Sequence, residues 1–309
     1  MGFFQYLRKF IKRFIYTTYR LQENVDDIKV LHGKLLAQAH LQYLPALKND
    51  IQKAEFKVFS QWGDDGIIQF LVSYLDIPTK TFIEFGVEDY SESNTRYLLI
   101  NNNWKGLVLD GNPKNIQYIQ EDEIYWRHDL TAKQVFVTAE NINQVIKESG
   151  FTGEIGLLHI DIDGNDYWVW KSIEVVNPII VIVEYNSVFG MDRAITVPYN
   201  PSFDRTEAHY TNLYFGASLK ALVQLGEMKE YYFIGCNSNG NNAYFVRRDK
   251  IKDLEIKSIQ EGYVASRFRE SVDKKGNRTF ITGENRIELL RGLTVVNTET
   301  GAIEKIMHN

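Results

Sequence analysis

A chain of 309 residues with a single cysteine, Cys236, cannot carry a disulfide framework or a multi-cysteine zinc site. That usage fits a reducing cytoplasm. No apolar run is long enough to span a bilayer. An excess of positive charge is missing as well: 35 lysines and arginines stand against 40 acids, for a formal net charge of -5. That balance argues against a dedicated nucleic-acid partner. What is present is the ordinary composition of a folded protein, 44% hydrophobic and 24% charged, in a chain long enough to bury a sizeable core.

Acids are also missing from the first twenty residues, "MGFFQYLRKFIKRFIYTTYR". Phe3, Phe4, Leu7, Phe10, Ile11, Phe14 and Ile15 recur at helical spacing, with Arg8, Lys9, Lys12 and Arg13 between them. Those charges interrupt the apolar core a signal peptide needs. A basic amphipathic helix fits peripheral contact of residues 1–20 with the inner face of an anionic membrane, or packing on the main domain or a partner chain. The pattern continues through Leu21, Val25, Ile28, Leu31 and Leu35. It predicts a helical hairpin or a coil that makes the protein a homo-oligomer.

Three parts follow: a helical extension (1–50), a main domain (51–250) and a tail (251–309). In the main domain short apolar runs alternate with amphipathic segments such as 131–148 and 217–228. The runs are "KTFIEFGV" (80–87), "KGLVLDGN" (105–112), "IGLLHIDID" (155–163), "IIVIVEYN" (179–186), "YYFIGCN" (231–237) and "NAYFVRR" (242–248). The alternation predicts an α/β fold with a doubly wound, mostly parallel sheet. Asn239-Gly240 separates the last two runs and predicts a terminal antiparallel hairpin. "LTVVNTETGAIEKI" in the tail reads as a second hairpin.

Ligands of such sheets sit beyond the carboxyl ends of the strands. The first run ends in Glu84-Phe85-Gly86, where a glycine lets the backbone approach a ligand closely. The second ends in Asp110, 24 residues after Gly86, near the spacing at which an acid meets a ribose diol. Asp129, in "RHDL", is placed to reach an adenine amine. A dinucleotide site wants G-x-G-x-x-G for its pyrophosphate. Glu88 and Tyr90 stand where the further glycines would fall, and an acid there repels phosphate. A cofactor without phosphate and with a cationic amino-acid end, such as S-adenosyl-L-methionine, suits these acids better.

"FSQWGDDGIIQFL" (59–71), "FIEFGVEDYSESNTRYLL" (82–99), "WKGLVLDGNP" (104–113), "LLHIDIDGNDYWVW" (157–170), "VIVEYNSVFG" (181–190), "YFGASLKAL" (214–222) and "FIGCNSNGNNAYFVRRD" (233–249) come in an order that resembles class I S-adenosylmethionine-dependent methyltransferases. The likeness is to the FkbM-like branch found among bacterial surface-polysaccharide genes, and it covers about residues 55–250. It implies a Rossmann-like fold and methyl transfer to a sugar, nucleotide-linked or part of a capsule or lipopolysaccharide glycan. It also implies Glu84 and Gly86 beside the cofactor, Asp110 on its ribose, Asn94 and Thr95 near its carboxylate, and Gln61 in a segment closing over it.

"HIDIDGND" and "VEYN" end neighbouring strands. Asp161, Asp163, Glu184 and Asn186 would there offer oxygen ligands to Mg²⁺, Mn²⁺ or Ca²⁺, an arrangement resembling metal-dependent O-methyltransferases. The alternative is general-base catalysis by Asp161, Asp163 or His209, with His159 deeper in its strand as a core residue and Asp166 as the cap of the next helix. The segment 190–216 is long for a connection and reads as an acceptor lid, with Tyr199, Tyr210 and Tyr214 as sugar-stacking or packing residues and Arg193 or Arg205 facing a phosphate. Competing readings are a D-x-D glycosyltransferase built on Asp161 and Asp163, N-methylation of an amide or phosphoramidate, and a membrane-associated scaffold without catalysis.

Overall fold

The apolar runs condense into one twisted sheet because each alternates its buried side chains between two helix layers. The structure is a computed structural model that describes residues 3–283 and 285–307. Residues 1, 2, 284, 308 and 309 and the side chain of Phe3, counted above with the basic helix and the tail, lie outside the described residues.

The strands are β1 (Thr81–Phe85), β2 (Lys105–Asp110), β3 (Leu130–Gln134), β4 (Gly153–Ile160), β5 (Val176–Glu184), β6 (Ile195–Thr196), β7 (Tyr231–Cys236), β8 (Asn242–Arg247), β9 (Thr294–Asn297) and β10 (Ile303–Lys305). Seven of them form the main sheet in the order β3-β2-β1-β4-β5-β8-β7. Strands β1 to β5 run parallel, and β8 is antiparallel to both β5 and β7. This is the doubly wound α/β architecture that the alternation predicts, with its terminal antiparallel hairpin.

The helices are α1 (Phe3–His40), α2 (Leu44–Asn49), α3 (Asp64–Tyr74), α4 (Arg96–Asn102), α5 (Pro113–Glu121), α6 (Glu123–Arg127), α7 (Ile142–Glu148), α8 (Asp166–Ser172), α9 (Arg205–Ala208) and α10 (Leu219–Met228). Phe82, Val108, Leu157, Ile180 and Tyr244 face the layer that includes α3, α4 and α5. Ile83, Leu107, Leu158, Val181 and Phe245 face the layer of α7, α8 and α10. Each strand thus serves two cores with a period of two.

Three expectations need correction. The segment 131–148 is not one helix: residues 130–134 extend as β3 and pair with β2, and the helix is Ile142–Glu148. Leu130 and Ala132 are the buried positions of a half-polar edge strand, and such a short alternation is easily mistaken for one face of a helix. The N-terminal pattern is not a hairpin but one helix of 38 residues, about 57 Å at 1.5 Å per residue. No turn-forming pair interrupts it, and its glycine serves contact instead. A Cβ on Gly33 would lie 2.7 Å from the Tyr97 hydroxyl and 2.8 Å from Val58, so the bare backbone lets α1 press onto the body beside Val30 and Ala37. The tail, finally, does not stand apart. Its β9–β10 hairpin forms as predicted, but β9 also pairs with β6 of the 190–216 segment. Val188, Ile195, Leu213, Leu290, Val295 and Ile306 make a shared apolar cluster beneath them.

Candidate functional site

The strand order reverses its direction of growth between β1 and β4, and a crevice must open at their carboxyl ends. A cavity of about 640 Å³ lies there. Gly86 leaves β1 with a φ of +70°. A Cβ on it would stand 1.7 Å from the Asp161 carbonyl oxygen, so the chain crosses the switch point with no room for a side chain.

On one side of Gly86, Asp110 ends β2. Its carboxylate accepts from the Glu88 amide at 2.9 Å, the Asn112 amide at 2.8 Å and Asn115 Nδ2 at 3.0 Å. Those donors fix both oxygens in the cavity wall. The apolar part of this wall is Val135, Phe136 and Val137, which follow β3. Asp129 is not there. It precedes β3, and its partner is Lys105 at 3.6 Å, at the first residue of β2. "RHDL" is a strand beginning and not a strand end, so Asp129 lies at the opposite end of the strands from the cavity.

Beneath Gly86, Glu84 is almost wholly buried. It accepts from His159 Nδ1 (2.8 Å), the Ser93 hydroxyl (2.5 Å) and the amides of Asn94 (3.0 Å) and Thr95 (3.1 Å). Burial pushes the Glu84 carboxyl up, but the imidazole and the hydroxyls overcome this and hold it below the usual range. Burial likewise lowers the pKa of His159, but Glu84, its partner across β1 and β4, more than offsets this and raises it above the ordinary imidazole value. Asn94 completes the chain through His159 Nε2 at 3.1 Å and lines the cavity. Thr95 does not line it: its hydroxyl bonds Glu84 and Tyr90 from a fully buried position. It orients Glu84 instead of facing a ligand.

Gln61 and Trp62 border the cavity from the loop before α3. Asp65 shapes that loop by accepting from the amides of Val58, Phe59 and Ser60, each at 2.7 Å. Asp65 is not among the residues to which strand-end spacing points. The signal was the acid pair in "WGDDG" ahead of an apolar helix.

Strand β4 stops at Ile160, so Asp161 and Asp163 belong to a loop and do not continue its alternation. Asp166 holds this loop by accepting from the amides of Ile162 and Gly164, both at 2.9 Å. It is therefore the clamp of the preceding loop and not the helix cap, a place taken by Asn165. Asp163 has a φ of +54° and Glu88, across the cavity, one of +48°. Such left-handed backbone at non-glycine residues is strained and gathers at functional sites.

Asp161, Asp163 and Glu184 converge, with one carboxylate oxygen of each within 4.8 Å of the others. Burial first, and then the Asp163 charge, pushes Asp161 up to about 7. Burial and the charges of Asp161 and Asp163 push Glu184 well above its usual value. Glu184 Oε2 is buried without a hydrogen-bond partner. The one guanidinium among the described lining residues is Arg205, which binds Asp163 at 2.5 Å and Glu270 at 2.7 Å and lies 3.8 Å over the Phe215 ring.

The fourth expected ligand, Asn186, is turned away. Its Nδ2 donates to the carbonyls of Leu213 and Phe215 and its Oδ1 accepts from the Val188 amide, so it pins the 213–215 segment. His209 does not line the cavity either. Its Nδ1 meets Thr211 Oγ1 at 2.8 Å and its ring lies against Tyr210. The cavity is reached instead by Phe203, Asp204, Arg205 and Thr206 of the same segment. Tyr199 bonds Glu140, Tyr214 bonds the Thr294 carbonyl and Arg193 pairs with Glu304 at 2.8 Å, all outside the cavity. The tail contributes Phe268, parallel to Trp62 at a centroid distance of 6.2 Å, and Glu270. Neither was singled out in the sequence, because the tail joins the site only through tertiary pairing.

No family model matches the chain, and no curated protein does. Among solved structures, it is similar to an S-adenosylmethionine-dependent methyltransferase from Clostridium acetobutylicum, with 10% identity over 68% of this chain and 99% of that one and a TM-score of 0.39. An O-methyltransferase from Bacillus cereus in complex with SAH is similar with 15% identity over 69% and 90% of the two chains and a TM-score of 0.38. The N-terminal domain of EvdMO1 with SAH bound is similar with 10% identity over 55% and 73% of the two chains and a TM-score of 0.35.

Proposed function

We propose that this protein is an S-adenosylmethionine-dependent O-methyltransferase acting on a sugar hydroxyl. The observation that carries the reading is the character of the switch-point cavity. Nine of its described lining side chains are carboxylates, against one arginine. A pyrophosphate would be repelled there, whereas a sulfonium with an ammonium tail is attracted. Asp110, with its oxygens already oriented, suits a ribose diol, and Val135, Phe136 and Val137 suit an adenine face. Asn94 and the Glu84–His159 pair flank the place left for the amino-acid end.

The acceptor side is bounded by Asp161, Asp163 and Glu184, by the amides of Asn165, Asn241 and Asn242, and by the rings of Trp62, Phe203 and Phe268. Aromatic faces beside amides and carboxylates fit a sugar. The acidity favours a glycan unit over a nucleotide-linked sugar whose diphosphate enters the cavity, and for the same reason it favours methyl transfer over D-x-D glycosyl transfer. In the reaction the acceptor oxygen forms a bond to the methyl carbon, the carbon–sulfur bond breaks, and its electron pair stays on sulfur. The hydroxyl proton must leave, and Asp161, poised near neutrality, is placed to take it.

The carboxylate trio also fits a hard divalent cation such as Mg²⁺ or Mn²⁺: the donors are all oxygen, they are close, and Glu184 Oε2 has no other partner. A cation held by Asp161, Asp163 and Glu184 would lower the pKa of the acceptor hydroxyl and orient it. Two measurements test the reading. S-adenosylhomocysteine should raise the thermal transition while UDP and GDP leave it unchanged, and the reverse pattern would indicate glycosyl transfer. Turnover should fall after exhaustive chelation and return with Mn²⁺ or Mg²⁺. Full activity in chelator removes the cation and leaves Asp161 as the base.

A further inference from the structure

Helix α1 carries two stripes, and only one of them is used. Val30, Gly33 and Ala37 press onto the body, against Val58, Phe59 and Tyr97. Leu7, Phe14, Leu21, Ile28 and Leu35 recur every seven residues on another side, interleaved with Ile11, Thr18, Val25 and His32 at the same repeat. The apolar members of this second stripe are between 39% (Leu7) and 64% (Phe14) exposed. Ion pairs along the helix, among the described residues, begin only at Arg20, which meets Glu23 at 3.4 Å.

We propose that this stripe is the seam of a parallel two-stranded coiled coil formed with α1 of a second copy. The first reason is the repeat itself. A strict seven-residue stripe drifts by about 20° per heptad on a straight helix. Over four heptads it winds partway round α1, which a supercoiled partner follows and a flat lipid surface does not. The residue types are the second reason. Ile11, Thr18 and Val25 are β-branched at one seam position, which His32 completes, and Leu7, Leu21 and Leu35 stand with Phe14 and Ile28 at the other, a bias toward two parallel strands. Lys9, Lys12, Arg13 and Arg20 fall outside the seam and face water.

Area is the third reason. Covering all the exposed surface of the seam residues on two helices, on the order of 1,300 Å², would reach the lower end of the about 1,200–2,000 Å² that a stable interface buries. Phe10 and Ile15, 59% and 61% exposed, flank the seam and would meet across an in-register pair. The body docks on a different face of α1, so pairing leaves both catalytic domains in place on the outside of the coil.

Sedimentation velocity of the full chain at micromolar concentration should give twice the 35.9 kDa chain mass. The full-length double variant Leu21→Glu/Ile28→Glu should sediment as the monomer and keep the thermal transition of the body. A Val25→Cys variant should oxidise to a disulfide-linked dimer, since equivalent seam residues adjoin only in a parallel, in-register pair and the native Cys236 is buried. A monomeric wild type overturns the proposal, as does a dimer that survives both glutamates or a Val25→Cys chain that never cross-links. A monomer that pellets with phosphatidylglycerol vesicles also overturns it and gives the stripe to lipid. None of these readouts depends on methyl transfer.

Discussion

Gly86 joins the two halves of the cavity floor, and it does so by having no side chain. Its φ of +70° and the 1.7 Å that would separate a Cβ from the Asp161 carbonyl act together. For Gly86→Ala we expect a left-handed penalty of about 1–2 kcal/mol and a displaced Asp161 loop. The S-adenosylhomocysteine-induced thermal shift should then be lost, and an unchanged shift would show that the turn does not contact the cofactor. The sequence points to Gly86 because a glycine after an acidic strand end lets the backbone approach a ligand, although a glycine leaving a strand is usually just a turn. Asp129 was misread because the order of residues does not tell which end of a strand an acid occupies. Asn186 and His209 failed for another reason: their polar atoms found nearby partners, and no spacing rule reveals such a local bond.

At the scale of elements, the docking of α1 depends on His40 at its end. The ring lies 5.5 Å from Phe56 and 6.4 Å from Phe70, with Nδ1 unpaired. Burial lowers its pKa below the ordinary 6.5. The folded chain therefore binds this proton less readily than the unfolded one. The contribution of His40 is fully present above pH 6.5 and is lost as pH falls from there through the lower folded value. Urea midpoints on the two sides of that pH should differ, and His40→Phe should narrow the difference. A difference of equal size in the variant would assign the effect to other groups. The α1 pattern itself is legible as helical, but its length is not, since the same apolar repeat suits a hairpin or one long helix and only the contact at Gly33 shows how α1 docks.

For the molecule as a whole, Arg205 ties three distant stretches together: the Asp161–Asp163 loop, the 190–216 segment and the tail through Glu270. Arg205→Ala should leave two carboxylates unpaired beside a cluster that is already too acidic. A charged hydrogen bond lost at a site of this kind costs about 1.5–3 kcal/mol, so the acceptor KM should rise by roughly tenfold or more. Affinity for S-adenosylhomocysteine should stay near wild type, because Asp110, Gly86 and the β3 wall lie on the other side. Equal losses for cofactor and acceptor would show that the two halves of the cavity are not independent.

The sequence alone determined what period and composition encode. It set the alternation of strand and helix, the antiparallel ending at Asn239-Gly240, and the gathering of acids at successive strand ends in place of a phosphate-binding glycine loop. These are local properties, carried by neighbours in the chain. Only the tertiary structure decided which of those acids meet. Asp161, Asp163 and Glu184 converge because β4 and β5 are adjacent, and Asp129 is excluded because it stands at the amino end of β3. Phe268 and Glu270 enter the site because their stretch of the tail is tied to the end of β5, through Tyr185 on the Val264 carbonyl and Ser187 on Ser266, residues 79 positions apart. Pairing at such separation leaves no periodic trace in the sequence, so the wall built by Gly86 and Asp110 can be read from the chain, and the wall to which Arg205, Phe268 and Glu270 contribute cannot.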